Sequence, residues 1–200
     1  YTWGLLGKEN AIRDFSIGEE INSLGIKTNR MEYVLELDKE IFVESTNEII
    51  KPVLLQYNVE TPYRISDYAF IPKDLFKKEI KKWEQINSIG FKKSHLIAAN
   101  VLIKNLRILH DNNIMHNAIH VQNYTWALEL LDFESSRSNK LPYKNIEYEK
   151  HVSMLMPAEV IQTYEVINYI SWCLNEEVVF QEIDEIFSEY KFDLNQFKLL

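Results

Sequence analysis

Cysteine is almost missing from this 200-residue chain: Cys173 stands alone, so no internal disulfide can form. A reducing, cytosolic setting is the expected one. Glycine is sparse, five residues in all, and no Gly- or Ser-rich linker, internal repeat or low-complexity tract divides the chain. No apolar run is long enough to span a bilayer, and no basic-then-apolar leader opens the sequence. Positive charge is the minority: 22 Lys and Arg face 30 Asp and Glu, a formal net charge of -8. That balance disfavours non-specific binding to nucleic acid or to an anionic membrane. What the chain does have is apolar content, 46% of residues, enough for a real core in one large or two small domains. It opens on Tyr1 and runs straight into Trp3-Gly4-Leu5-Leu6-Gly7, which reads as the interior of a domain, so an upstream segment is expected.

Periodicity gives a coarse order of elements. Ile12, Phe15, Ile17, Ile21 and Leu24 recur near helical spacing over residues 9–24, and Gly25 stands where a helix C-cap would. Residues 31–37 and 41–44 are short β-branched and aromatic runs around Asp38-Lys39-Glu40, which predicts a hairpin, with a third strand at Val53–Val59. Phe76, Ile80, Trp83 and Ile86 predict a helix from Asp74 to near Gly90. A longer one follows from Ser94 to His110, with Ile97, Val101, Leu102, Leu106 and Leu109 on one face. Tyr124–Leu131 reads as a short hairpin with Asp132 at its exit, and Ala158–Cys173 and Phe180–Tyr190 as two more helices. Strands first and helices afterwards is the α+β arrangement.

The stretch His116–Glu134 carries the chemistry. It spaces Asn123 and Asp132 as kinase-type folds space two metal ligands. Magnesium prefers hard oxygens and takes only one or two from the protein, the rest coming from phosphates and water. The protein-kinase pattern His-Arg-Asp-Leu-x-x-x-Asn puts its catalytic Asp two residues after the His. Here that place holds Ala118, with Ile119 after it. His120, three residues before Asn123, is a distant candidate to accept a proton near neutral pH. Read without any relative, Asn123 and Asp132 are turn residues flanking a hairpin, favoured there for their local hydrogen bonds.

Three ordered blocks then bring out a resemblance. Ala11-Ile-Arg-Asp-Phe-Ser-Ile-Gly-Glu19-Glu-Ile-Asn-Ser-Leu-Gly-Ile26, followed by Lys27-Thr28-Asn29-Arg30, is similar to the Arg-Glu-Tyr, Ser-Glu-Ala and Leu-Gly-Ile-Pro-Thr-Thr-Arg segment of the selenoprotein O family. Val53-Leu54-Leu55-Gln56-Tyr57 with Tyr63-Arg64-Ile65-Ser66-Asp67-Tyr68 resembles its Val-Leu-Thr-Arg-Val and Ile-Arg-Val-Gly-Thr-Phe blocks. His116–Asp132 resembles, without a gap, its His-Gly-Val-x-Asn-Thr-Asp-Asn block and the Ile-Asp-Tyr-Gly that ends it. Residues 135–200 have no such match.

The resemblance implies a protein-kinase-like α+β fold, with an incomplete β-rich N-terminal lobe over residues 1–72 and a larger helical lobe over 73–200. It also implies ATP bound in flipped orientation with Mg2+, so that AMP goes to a hydroxyl acceptor. On that reading Glu19 falls on the helix glutamate that pairs with a phosphate-binding lysine. Arg64 falls on one of two phosphate-contacting arginines, and Asn123 and Asp132 on the metal ligands. Tyr57 stands where the other arginine is expected, and Gln122 where the family has the Asp proposed as general base. The lysine and the glycine-rich loop would lie before Tyr1, since Gly4 and Gly7 are too few and too close to the helix to replace that loop. Two functions follow: a weakened transferase acting on a protein or small-molecule hydroxyl, or an inactive pseudokinase serving as scaffold or as one subunit of a pair. A small-molecule phosphotransferase ranks third, because neither Ala118 nor Gln122 can be its base.

Overall fold

A computed structural model describes residues 6–44, 47–86 and 90–194. The architecture is α+β, a small antiparallel sheet with one helix followed by a larger helical part. Trp3 and Gly4 lie outside the described residues. Strand β1 (Leu6–Gly7) leads directly into helix α1 (Lys8–Ser23), which buries Ala11, Ile17, Gly18 and Ile21 on one face. The helix ends because Gly25 turns left-handed, at φ +82°, a conformation glycine takes without strain. Its N–H donates to Asn22 O at 2.9 Å, and that of Leu24 to Ile21 O at 3.1 Å, so two of the last helical carbonyls are satisfied.

The strands pair differently from the sequence-based expectation. Strand β2 (Arg30–Glu36) does not form a hairpin with the run after Asp38-Lys39-Glu40. It pairs antiparallel with β5 (Pro52–Asn58), which lies between β1 and β2. The intervening chain closes on itself as β3 (Ile41–Val43) against β4 (Glu48–Ile50). The reason is length: a seven-residue strand finds partners for its backbone along an equally long one, and β3 has only three residues. The turn signal was Asn47, which sits left-handed at φ +55° at the start of β4. The third predicted strand matches β5.

The remainder is helical: α2 (Lys73–Ile86), α3 (Ser94–Asp111), a short α4 (Ile146–Lys150), α5 (Val152–Leu174) and α6 (Phe180–Glu189). The predicted run of α2 toward Gly90 crosses residues 87–89, which lie outside the described residues. Helix α5 starts well before Ala158 and carries Pro157 inside it. So near the helix start, proline removes a single i→i−4 bond, which the packing of α5 against α3 outweighs. One apolar cluster joins both parts of the chain: Ile17, Ile21 and Met31 share it with Leu102, Leu106, Ile167, Ile170 and Phe187. Cys173 is buried in it, and burial pushes its thiol up to about 12, so it is inert. Trp172 is 68% exposed and lies over Tyr68 and Tyr169.

No described helix is long and apolar enough to cross a membrane.

Candidate functional site

The hairpin that follows the 3₁₀ turn Val121–Asn123 sets the geometry of the site. Thr125 N–H donates to Glu129 O at 3.0 Å, Leu128 N–H to Thr125 O at 2.9 Å, and Leu131 N–H to Asn123 O at 2.9 Å. Pairing thus brings Asn123 opposite Leu131, and Asp132 follows at once. Neighbouring segments clamp the hairpin from outside. Leu130 N–H donates to Lys27 O at 2.9 Å, Ile65 N–H to Tyr124 O at 2.8 Å, and Trp126 N–H to Tyr63 O at 3.0 Å. A buried irregular segment survives because its backbone groups find such partners.

Asn123 is buried, and its Nδ2 donates to Ala118 O at 2.9 Å. That bond uses the donor end of the amide and leaves Oδ1, the end a hard cation would take, as an acceptor. Asp132 is held left-handed at φ +67°. Such a backbone is costly for any residue but glycine, tolerated best by Asn and Asp, and is found most often at functional sites. No described residue hydrogen-bonds or ion-pairs the Asp132 carboxylate.

Next to Asp132 stands a residue that the sequence reading passed over. Asp14 of α1 is buried, and its Oδ1 accepts the N–H of Phe133 at 3.1 Å. Burial pushes the Asp14 carboxyl up to about 7; the neighbouring Asp132 and Glu134 charges add to the rise and the Phe133 bond opposes it. Glu134 is also raised, again by burial first and then by Asp132. Glu19, by contrast, is exposed on α1, while its neighbour Glu20 pairs with Lys140 at 3.3 Å. The acid of α1 that meets the Asp132 segment is Asp14, not Glu19. A signal for this was present in the sequence: Gly18, a glycine inside a helix, marks a close approach. A Cβ there would come within 3.0 Å of the Phe133 ring.

Arg64 and Gln122 are brought together, though not by their side chains. Arg64 Nη1 donates to the backbone O of Gln122 at 2.7 Å, and Arg64 N–H donates to Asp67 Oδ2 at 2.9 Å. The Gln122 side chain is exposed, and the backbone N–H of Gln122 donates to His120 Nδ1 at 3.3 Å. His120 therefore caps the 3₁₀ turn through Nδ1. Tyr57 lies exposed on β5, opposite Met31.

The loop is held from behind by buried polar groups. His116 is fully buried and neutral, its pKa lowered by burial, and Nε2–H donates to Leu131 O at 2.8 Å. Ser136 Oγ donates to His116 O at 3.0 Å. Glu159 of α5 reaches into the same frame, accepting from Asn117 N–H at 2.7 Å with Oε1 and meeting His110 Nε2 at 2.8 Å with Oε2. His110 is thus half of a buried hydrogen-bonded pair.

Among the described residues, no group of three or more His, Cys, Asp or Glu is placed to hold a metal. Asn123 and Asp132 offer two hard oxygens, a set that suits a magnesium ion whose other ligands come from phosphates and water. No known protein-family model matches the chain. No curated protein matches it either.

Proposed function

We propose that this chain is a kinase-like domain of the selenoprotein O type, which holds magnesium-ATP at Asn123 and Asp132 and moves AMP weakly to a hydroxyl acceptor. The observation behind this is the juxtaposition of the two ligands: hairpin pairing sets Asn123 opposite Leu131, the residue before Asp132, with one amide oxygen and one carboxylate available to a cation. Asn123 and Asp132 would hold the magnesium, which would supply neutralisation of phosphate charge there. Asp14, raised by burial, keeps its proton near neutral pH and so limits the negative charge packed beside Asp132. Arg64 supplies a cation next to Gln122.

The chemistry is slow on this reading because Gln122 cannot accept a proton. General-base assistance is worth roughly 10²–10⁴ in rate. Gln122→Asp would restore a carboxylate at that place and should raise acceptor labelling. A specific observation also favours the pseudokinase reading: Arg64 already spends one donor on the Gln122 carbonyl, which draws it toward a structural role.

Calorimetry or thermal shift with ATP, in the presence and absence of magnesium, tests the site. A nucleotide at about 100 times its Kd stabilises the fold by roughly 2.7 kcal/mol. Magnesium-dependent stabilisation is expected in the native chain and should vanish in Asp132→Ala. Equal affinity in that variant would defeat the assignment, and the absence of any magnesium-dependent shift would leave the scaffold role in its place.

A further inference from the structure

Helices α2 and α6 carry opposite charge on their exposed surfaces. On α2, Lys73, Lys77, Lys78 and Lys81 are exposed and form no ion pair with a described residue, while Lys82 is taken by Glu79 at 2.9 Å. They outnumber Asp74 and Glu84, the exposed acids of that helix. On α6 there is no lysine or arginine. Its Glu185 and Glu189 are exposed and form no ion pair with a described residue, and Glu182 meets Lys93 at 2.7 Å. The pairs Lys73–Lys77, Lys77–Lys81 and Lys78–Lys82 on α2 and Glu185–Glu189 on α6 stand one turn apart. Like charges at that spacing destabilise a helix, and a surface of opposite sign relieves the repulsion.

The two helices flank one element. Both pack against α3, and Tyr190, which closes α6, donates its O–H to Asn100 Oδ1 of α3 at 2.9 Å. Asn100, Val101 and Lys104 of α3 line a groove whose walls include Ile86, the last residue of α2, and Tyr190. A two-fold axis along that groove sets α2 of one copy on α6 of another, and symmetry repeats the pairing on the opposite side. Ile86, 50% exposed, and the half-buried Val101 then stand near the axis as an apolar centre with charges around it.

We infer that the chain pairs with a second copy of itself through this face, the lysines of α2 in each copy meeting Glu185 and Glu189 of α6 in the other. A net charge of -8 disfavours nucleic acid and anionic membranes as occupants, whereas this pairing joins surfaces of opposite sign that the chain itself carries. The pairing does not rest on the magnesium site.

Sedimentation velocity on the whole chain is the test. The native chain should dimerise at micromolar concentration in about 0.01 M salt and dissociate in about 1 M, as the screening length falls from about 30 Å to about 3 Å. Lys77→Glu with Lys81→Glu, and separately Glu185→Lys with Glu189→Lys, should each weaken the dimer at least roughly hundredfold, because like charges then face each other twice. All four positions are exposed, so circular dichroism should show both variants folded. Mixing the two variants decides the matter: it should restore a dimer with one chain of each, which a loss of fold could not produce. A native chain that stays monomeric at low salt would overturn the inference. So would a dimer indifferent to either charge reversal, or a mixture of the variants that stays monomeric. A monomeric chain that cosediments with phosphatidylserine vesicles would also overturn it and assign the lysines to a lipid surface.

Discussion

Regular backbone and burial part company in this molecule. Over β2 and β5 the chain is regular, yet most side chains face solvent, among them Tyr33, Leu35, Leu54 and Tyr57. Over residues 114–138 it is almost without helix or strand, yet Met115, His116, Trp126, Leu130, Phe133 and Ser138 are buried to near completion. The strands satisfy their backbone by a ladder. The irregular segment does so by single bonds from side chains and distant carbonyls, and these hold Asn123 and Asp132 in place. Its order therefore depends on individual residues, whereas the sheet's order is spread over many interchangeable ones.

The largest expected effect follows at Glu159. It joins α5, α3 and the loop at once, through His110 and the Asn117 N–H, and both side chains of the hydrogen-bonded His110–Glu159 pair are buried. Removing the carboxylate leaves His110 and the Asn117 N–H without this partner, at about 1–3 kcal/mol for each buried group left unsatisfied. Glu159→Ala should lose that much in urea denaturation. A loss under about 1 kcal/mol would mean that the loop is held by its apolar contacts and not by these bonds.

Asp14 gives the next effect, and its sign is fixed by the direction of its shift. Below the ordinary value of 3.8 both folded and unfolded chains carry the proton, and the contribution to stability is complete. As pH rises from there toward about 7, the unfolded chain ionises while the folded one keeps its proton, so stability falls. Asparagine keeps an oxygen to accept the Phe133 N–H but has no proton to lose. Asp14→Asn should therefore be little different from the native chain near pH 4 and more stable by on the order of 2–4 kcal/mol near pH 8. Parallel melting curves at both pH values would refute the buried-acid account.

Gly18 sharpens the same packing. A methyl group there meets the Phe133 ring at 3.0 Å, and overpacking of this kind costs typically 1–3 kcal/mol. The better helix propensity of alanine returns somewhat under 1 kcal/mol. Gly18→Ala should thus lose about 1–2 kcal/mol, measured by urea midpoint; a gain would show that α1 and Phe133 are not in contact.

Local patterns carried the helices into view: Ile97, Leu102, Leu106 and Leu109 of α3 are buried as their spacing predicts, and Gly25 marks the end of α1 as read, but the face of α1 is shifted, with Ile12 exposed and Ala11, Asp14 and Gly18 buried beside Ile17 and Ile21. Pairing was not local and was misread, because β2 prefers a partner of its own length some twenty residues on to the adjacent three-residue run. The spacing singled out Asn123 and Asp132, and the hairpin brings the two segments together. Asp14 was not singled out, since an acid buried against a distant backbone N–H looks in sequence like any helix acid beside Glu19 and Glu20. The His110–Glu159 pair was hidden for the same reason, joining residues from two helices that no motif links.

The smallest effect belongs to the sheet and is the sharpest check on the contrast with the loop. Leu54 lies on the outer face of β5 opposite Leu35, both exposed. If the strands are held by their ladder, the side chain contributes little and a strand-favouring polar residue should serve equally well. Leu54→Thr is expected to change stability by no more than about 0.5 kcal/mol, the range for surface positions away from special features. A loss above about 1 kcal/mol would mean that Leu54 is covered in solution, since an exposed leucine has no burial to forfeit. The contrast would then fail on the sheet side, because that face would behave as a packed surface and single residues would matter there as they do in the loop.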